Sequence, residues 1–239
     1  VAEAFGWGAF GAAALLVGAL IAYLLSPSRR VIAVVMALGT GLLIGSVAFE
    51  LIDEALESQT VFWVACSVLV GAVVFTVGDW LLSRGGGGER KDATGAQSEG
   101  SPLAIVLGSV LDGIPESFVL GLTVLQGGVS MSLLAGVVLS NLPESMSSSA
   151  GLKAAGWPQG RVLAMWSAVV LVSALSAAAG FAMLDPASGQ TGAMVQAFAG
   201  GALLAMLADT LLPEAYVVEG ALTGFLVVAG FAISLALSG

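Results

Sequence analysis

Histidine is missing altogether from the 239 residues, and cysteine occurs once, at Cys66. Without histidine there is no Ser–His nucleophile pair, no His-Glu-x-x-His zinc site and no imidazole ligand for a metal. One cysteine excludes an intramolecular disulfide and any multi-thiolate metal centre. Charge is almost as scarce. Asp, Glu, Lys and Arg make up 10% of the chain, where a water-soluble domain carries about 25%, so the chain cannot cover a water-facing surface. Only 7 residues are basic, too few for a nucleic-acid-binding surface. An intramembrane protease would then need paired aspartates. Asp112 and Asp209 are the two candidates, and neither stands in a catalytic motif. The chain is read as a non-enzyme.

What it has in quantity is apolar sequence, 58% of the residues, together with 33 glycines. Glycine weakens a helix in water but lets helix backbones approach closely in lipid. A span needs about 20 mostly apolar residues, and runs of that kind lie at 5–26, 31–52, 60–83, 102–126, 128–151, 160–183, 191–212 and 215–238. The expectation is an all-α, polytopic membrane protein of eight transmembrane helices, a single domain over 1–239 whose partner is the lipid bilayer. The first run is long enough to span and has no small-residue cleavage site, so it is read as a helix and not as a cleaved signal. The segment 84–101 is rich in glycine and charge and reads as a flexible loop between the third and fourth helices. If the helices alternate, Arg29, Arg30, Arg84, Arg90, Lys91, Lys153 and Arg161 all fall on one side. The positive-inside rule makes that side the cytoplasm and puts both termini outside, in a plasma or inner membrane. Small residues are spread over every run, so a homodimer stays open and no one face is marked for it.

Acids at bilayer depth are costly, which makes them candidates for function. The fourth run contains Asp112-Gly113-Ile114-Pro115-Glu116-Ser117, and the fifth contains Ser140-Asn141-Leu142-Pro143-Glu144-Ser145. Asp112 and Glu116 are four apart, as are Ser140 and Glu144, so each pair shares a helical face. The two segments repeat a pattern on helices of opposite direction, as inverted pairs around a midplane site do. Pro115 and Pro143 each remove one intrahelical hydrogen bond and leave a carbonyl free in the preceding turn. Neither motif contains Lys or Arg to balance its carboxylates, so a divalent cation or protons must do so. A weaker pair of acids ends the second and seventh runs. Glu50 and Asp209 are expected to lie deeper along a path, with Glu54 and Glu214 at opposite membrane surfaces. Asp79 beside Trp80 reads as interfacial, and Ser147, Ser148 and Ser149 as packing residues.

On these residues the chain resembles the ZIP family of divalent metal transporters, whose fourth and fifth helices carry paired Pro-Glu motifs with histidines. Here the motifs read DGIPES and SNLPES. By position Asp112 stands for the first histidine, Gly113 for the asparagine after it, and Ser140 for the second histidine. Glu116 and Glu144 match the family's acidic ligands. The resemblance implies an inverted-repeat bundle and import of a divalent metal ion (zinc, iron, manganese or cadmium) as substrate, with no organic cofactor. It also implies a midplane metal site of Asp112, Glu116, Ser140, Asn141 and Glu144, and a rigid group of helices 1, 4, 5 and 6 that moves against the rest. Oxygen ligands without imidazole favour Mn²⁺ and Mg²⁺ and tolerate Fe²⁺, Zn²⁺ and Cd²⁺. The alternatives are the same fold moving another ion, and a membrane protein that binds metal without moving it.

The predicted topology has a direct check. In a Cys66→Ser background, a cysteine in place of Ser98 should escape a membrane-impermeant maleimide in intact cells and react after permeabilisation. A cysteine in place of Ala2 should react in both.

Overall fold

The computed structural model describes residues 1–82, 84, 102–125, 127–183 and 189–238. The expected loop 84–101 lies outside the described residues except for Arg84. The described residues form eight helical rods: α1 (Ala2–Leu24), α2 (Arg29–Ser58), α3 (Val61–Leu82), α4 (Pro102–Leu125), α5 (Met131–Ala154), α6 (Gln159–Met183), α7 (Gly189–Glu219) and α8 (Leu222–Ser238). Six of them, all but α5 and α8, are long and apolar enough to cross a membrane. α8 is apolar but has 17 residues, about 25 Å at 1.5 Å per residue, a little under the roughly 30 Å hydrocarbon core.

α5 is long enough, with 24 residues, and is set apart by polarity. Ser132, Ser140, Asn141, Glu144, Ser145, Ser147, Ser148 and Ser149 are all buried. It packs against α1 and α2 along its length and touches α4, α6 and α8. A helix enclosed by protein has no lipid-facing side to keep apolar, which is why polar residues are tolerated here. The outer helices show the reverse pattern. Phe62 is 67% and Val228 66% exposed, whereas Asp112 is 2% and Glu116 3% exposed. Apolar groups outside and carboxylates inside suit lipid as the solvent.

Contacts fix the directions of the rods. α2 and α5 are antiparallel, with Gly39 against Leu139 and Ser46 bonded to Ser132. α1 and α5 are parallel, with Gly11 beside Val137 and Gly18 beside Leu142 and Ser145. α7 runs against α2, since Gln196 meets Glu54 while Gly200 meets Val47, and it runs with α3, since Ser67 meets Met194 and Gly71 meets Phe198. Arg29, Arg30, Arg84, Lys153 and Arg161 therefore gather at one end of the bundle, as the alternation requires. There the Lys153 ammonium donates to the last carbonyls of α1, Tyr23 O at 3.0 Å and Ala22 O at 3.3 Å, and to Ser26 Oγ at 3.1 Å. A cation at a helix C-terminus is favourable. Arg30 pairs with Glu219 at 3.0 Å at the same end.

α2 and α7 run further than the apolar pattern indicates, to Ser58 and Glu219. Each passes through a π-helical turn, Val47–Ile52 in α2 and Leu207–Leu211 in α7. In α7 the wide turn stands just before Pro213, whose missing N–H cannot bond four residues back. In α2 no proline accounts for it. Both turns occur beside an acid, Glu50 and Asp209 respectively.

Close helix pairs are seated on glycine. A Cβ at Gly41 would collide with the Val227 carbonyl of α8, and one at Gly71 with the Phe198 carbonyl of α7. Gly41→Ala should therefore lower stability by about 1–3 kcal/mol, the usual cost of overpacking. Gly6→Ala, with nothing within 4 Å of the new methyl, should leave it unchanged or slightly raised. Thermal unfolding of the two variants in detergent compares them directly.

Candidate cation site

α4 and α5 both remain α-helical through Pro115 and Pro143. On α4 the residues 109, 112 and 116 follow the i, i+3, i+7 rule, so Ser109, Asp112 and Glu116 form one stripe. On α5 Ser140, Glu144 and Ser147, spaced i, i+4, i+7, form another. The stripes face each other through reciprocal hydrogen bonds. The Ser140 hydroxyl donates to Glu116 Oε1 at 3.0 Å and also reaches Val137 O at 3.0 Å. The Ser109 hydroxyl donates to Glu144 Oε1 at 2.7 Å. Each glutamate thus takes a hydroxyl from the opposite helix, and Asp112 lies between them on the α4 stripe. Exposure is 4% at Ser109, 2% at Asp112, 3% at Glu116, 1% at Ser140 and 6% at Glu144. The described residues hold no cluster of three or more His, Cys, Asp or Glu side chains drawn together as a metal cage. The arrangement is instead two carboxylate–hydroxyl pairs flanking an aspartate.

Two motif residues have neighbours on other helices. Asn141 Nδ2 donates to the Gly11 carbonyl of α1 at 3.5 Å, a long contact. Gly113 faces α6, where a Cβ would stand 3.1 Å from Ser173 Oγ. The prolines also differ in surroundings. The carbonyl that Pro143 releases is that of Leu139. It faces Gly39 of α2, where a Cβ would sit 2.8 Å away, so it serves the α2–α5 contact. Pro115 instead lines an apolar cavity of about 390 Å³ with Leu111, Phe118, Phe75, Phe198 and Ala199.

The remaining acids are dispersed. Glu50 accepts hydrogen bonds from Ser130 and, at 3.0 Å, from Ser238, at the end of the bundle that carries the chain termini. It lines an open cavity of about 300 Å³ there with Glu54, Thr123 and Ser130. Glu54 accepts from Gln196 Nε2 at 3.1 Å. Asp209 is exposed on the outside of α7. Glu214 is buried at 8% exposure and accepts from Ser147 at 3.1 Å, toward the basic end. Glu54 and Glu214 thus belong to opposite halves of the bundle. Ser109 is the residue that motif reading passes over. Its signal is spacing alone, one turn ahead of Asp112 on the same face.

Neither a protein-family model nor a curated protein matches the chain.

Removing a donor from a buried carboxylate costs about 1–3 kcal/mol, more than a neutral hydrogen bond contributes. Ser140→Ala should therefore destabilise the protein by about that much through Glu116, and the double variant Ser140→Ala/Glu116→Gln should recover part of the loss. Thermal unfolding of the single and double variants in detergent measures the coupling.

Proposed function

We propose that the chain is a carrier of divalent metal cations, with its site where the stripes of α4 and α5 face each other. The observation that carries this reading is the burial of Asp112, Glu116 and Glu144 in two facing helices whose only basic residue is Lys153, which is engaged with α1. Each acid costs on the order of 3 kcal/mol to hold at the centre of a bilayer. Ionised carboxylates on facing helices repel one another, the more so out of water. A divalent cation turns that repulsion into attraction, and protons can replace it on the return step. The donors are all oxygen, which suits Mn²⁺ and Mg²⁺ and admits Fe²⁺, Zn²⁺ and Cd²⁺. The resemblance to the ZIP transporters points the same way and supplies the direction, inward from the side of the chain termini, with the basic end in the cytoplasm.

Packing supports a carrier over a static binding protein. α2 lies along α8 as α7 lies along α3, and α1 lies along α5 as α6 lies along α4. The π turns of α2 and α7 correspond as well. This is the pattern of an inverted repeat, with α1–α3 matching α6–α8 and α4 matching α5. The two halves are used unequally. α5 is closed onto α2 at Gly39, Leu43 and Gly136. The matching place between α4 and α7 is the apolar cavity lined by Leu111, Phe198, Ala199 and Ala202. A symmetric pair of interfaces, one closed and one open, is what alternating access requires.

The decisive experiment reconstitutes the protein in liposomes and follows uptake of Mn²⁺, Fe²⁺, Zn²⁺ and Cd²⁺ beside Glu144→Ala. Saturable uptake that the variant loses is the expected result. Flux that does not saturate would indicate a channel. Metal binding without flux in a folded preparation would indicate a sensor or structural role.

A further inference from the structure

Hydroxyls in the spans of this bundle commonly return to their own helix: Thr40 to Met36 O, Ser46 to Leu42 O and Thr210 to Met206 O. Such back-bonding satisfies the hydroxyl locally and carries no message about a ligand. Ser109 reaches across to the neighbouring helix and meets Glu144 Oε1 at 2.7 Å, at 4% exposure. A serine hydroxyl has one hydrogen to donate and two lone pairs. Donating to Glu144 therefore leaves its oxygen able to coordinate a cation held by that same carboxylate. Ser109 lies one helical turn from Asp112, and side chains at that spacing are about 5–6 Å apart at Cβ, close enough to share an ion.

We propose that Ser109 is a ligand of the cation carried by the α4–α5 site, and that its hydroxyl oxygen biases the site toward hard divalent cations. The proposal rests on the carrier reading above. The set Ser109, Asp112, Glu116, Ser140 and Glu144 contains only oxygen donors, and with one carboxylate bidentate it supplies six, the octahedral all-oxygen set of Mn²⁺ and Mg²⁺. One position on α4 then sets selectivity. A hydroxyl there keeps the site hard, and a thiol there softens it.

The test uses the full-length protein in detergent in a Cys66→Ser background, with Mn²⁺ and Cd²⁺ binding measured by calorimetry. Ser109→Ala should weaken Mn²⁺ binding by about tenfold or more, the usual scale for removing a supporting ligand group, and Ser109→Thr should restore it. Ser109→Cys should raise Cd²⁺ affinity relative to Mn²⁺ and produce a thiolate-to-cadmium absorption in the ultraviolet. If Ser109→Cys shows the same metal ratio as Ser109→Ala and no such absorption, Ser109 is not a ligand and the proposal is overturned. Parent protein that binds both ions and loses them in Glu144→Ala keeps the carrier reading alive in that case. Parent protein that binds neither ion overturns both. The cysteine and threonine variants, close in size to serine, keep the test informative if the alanine variant fails to fold.

Discussion

A carboxylate inside a bilayer has to be enclosed by protein, and the bundle is arranged around that requirement. Glu116 and Glu144 cannot reach water, so each takes a serine hydroxyl from the facing helix. Glu144 itself, Ser140 and the other buried serines of α5 make that helix too polar to face lipid. α5 accordingly sits among α1, α2, α4, α6 and α8, and the apolar exterior is left to helices such as α3 and α8. The same acids that define the candidate site thus decide which helix is central.

Enclosure at this closeness depends on residues without side chains. Gly39 and Gly136 let α2 and α5 interlock, Gly18 lets α1 lie against Leu142 and Ser145, and Gly121 and Gly180 let α4 and α6 touch backbone to backbone. Lipid tails are as apolar as the helix surfaces, so helix association gains little from hydrophobic burial and relies on close packing and hydrogen bonds. The hydrogen bonds that join α5 and its N-cap to α2, α7 and α8 are made by serines: Ser130 with Glu50, Ser132 with Ser46 and Ser234, and Ser147 with Glu214. α1, α5 and α6 are joined at the basic side through Lys153 and through Tyr23 and Trp157 at 2.7 Å, and further along through Trp166 and Ser149 at 2.9 Å.

Much of this was legible in advance. Long apolar runs announce membrane helices because length and hydropathy suffice for that inference. The alternation of the seven basic residues anticipates the up-and-down order that the contacts display. The two Pro-Glu motifs single out α4 and α5, and Ser140 of one motif bonds Glu116 of the other. The pattern was less informative where polarity and span conflict. α2 and α7 continue past their apolar runs as helix, to Ser58 and Glu219, with one side of each extension buried at Ala55 and at Glu214 and Ala215. The orientation of Asn141 toward α1 was not legible either, since adjacent residues on a helix point about 100° apart and only the packing partner settles which one faces the site.

The amino-acid sequence alone determined the solvent, the number and direction of the apolar runs and the two acidic motifs, because these depend on composition and on spacing along one chain. Tertiary structure decided that α5 is central, that Asp209 faces outward while Glu214 faces inward, and that Ser109 joins Glu144. Those outcomes depend on the rotation of each helix about its own axis. That rotation is set by which glycine meets which carbonyl on a neighbour distant in sequence, a property of pairs of helices that no single run contains.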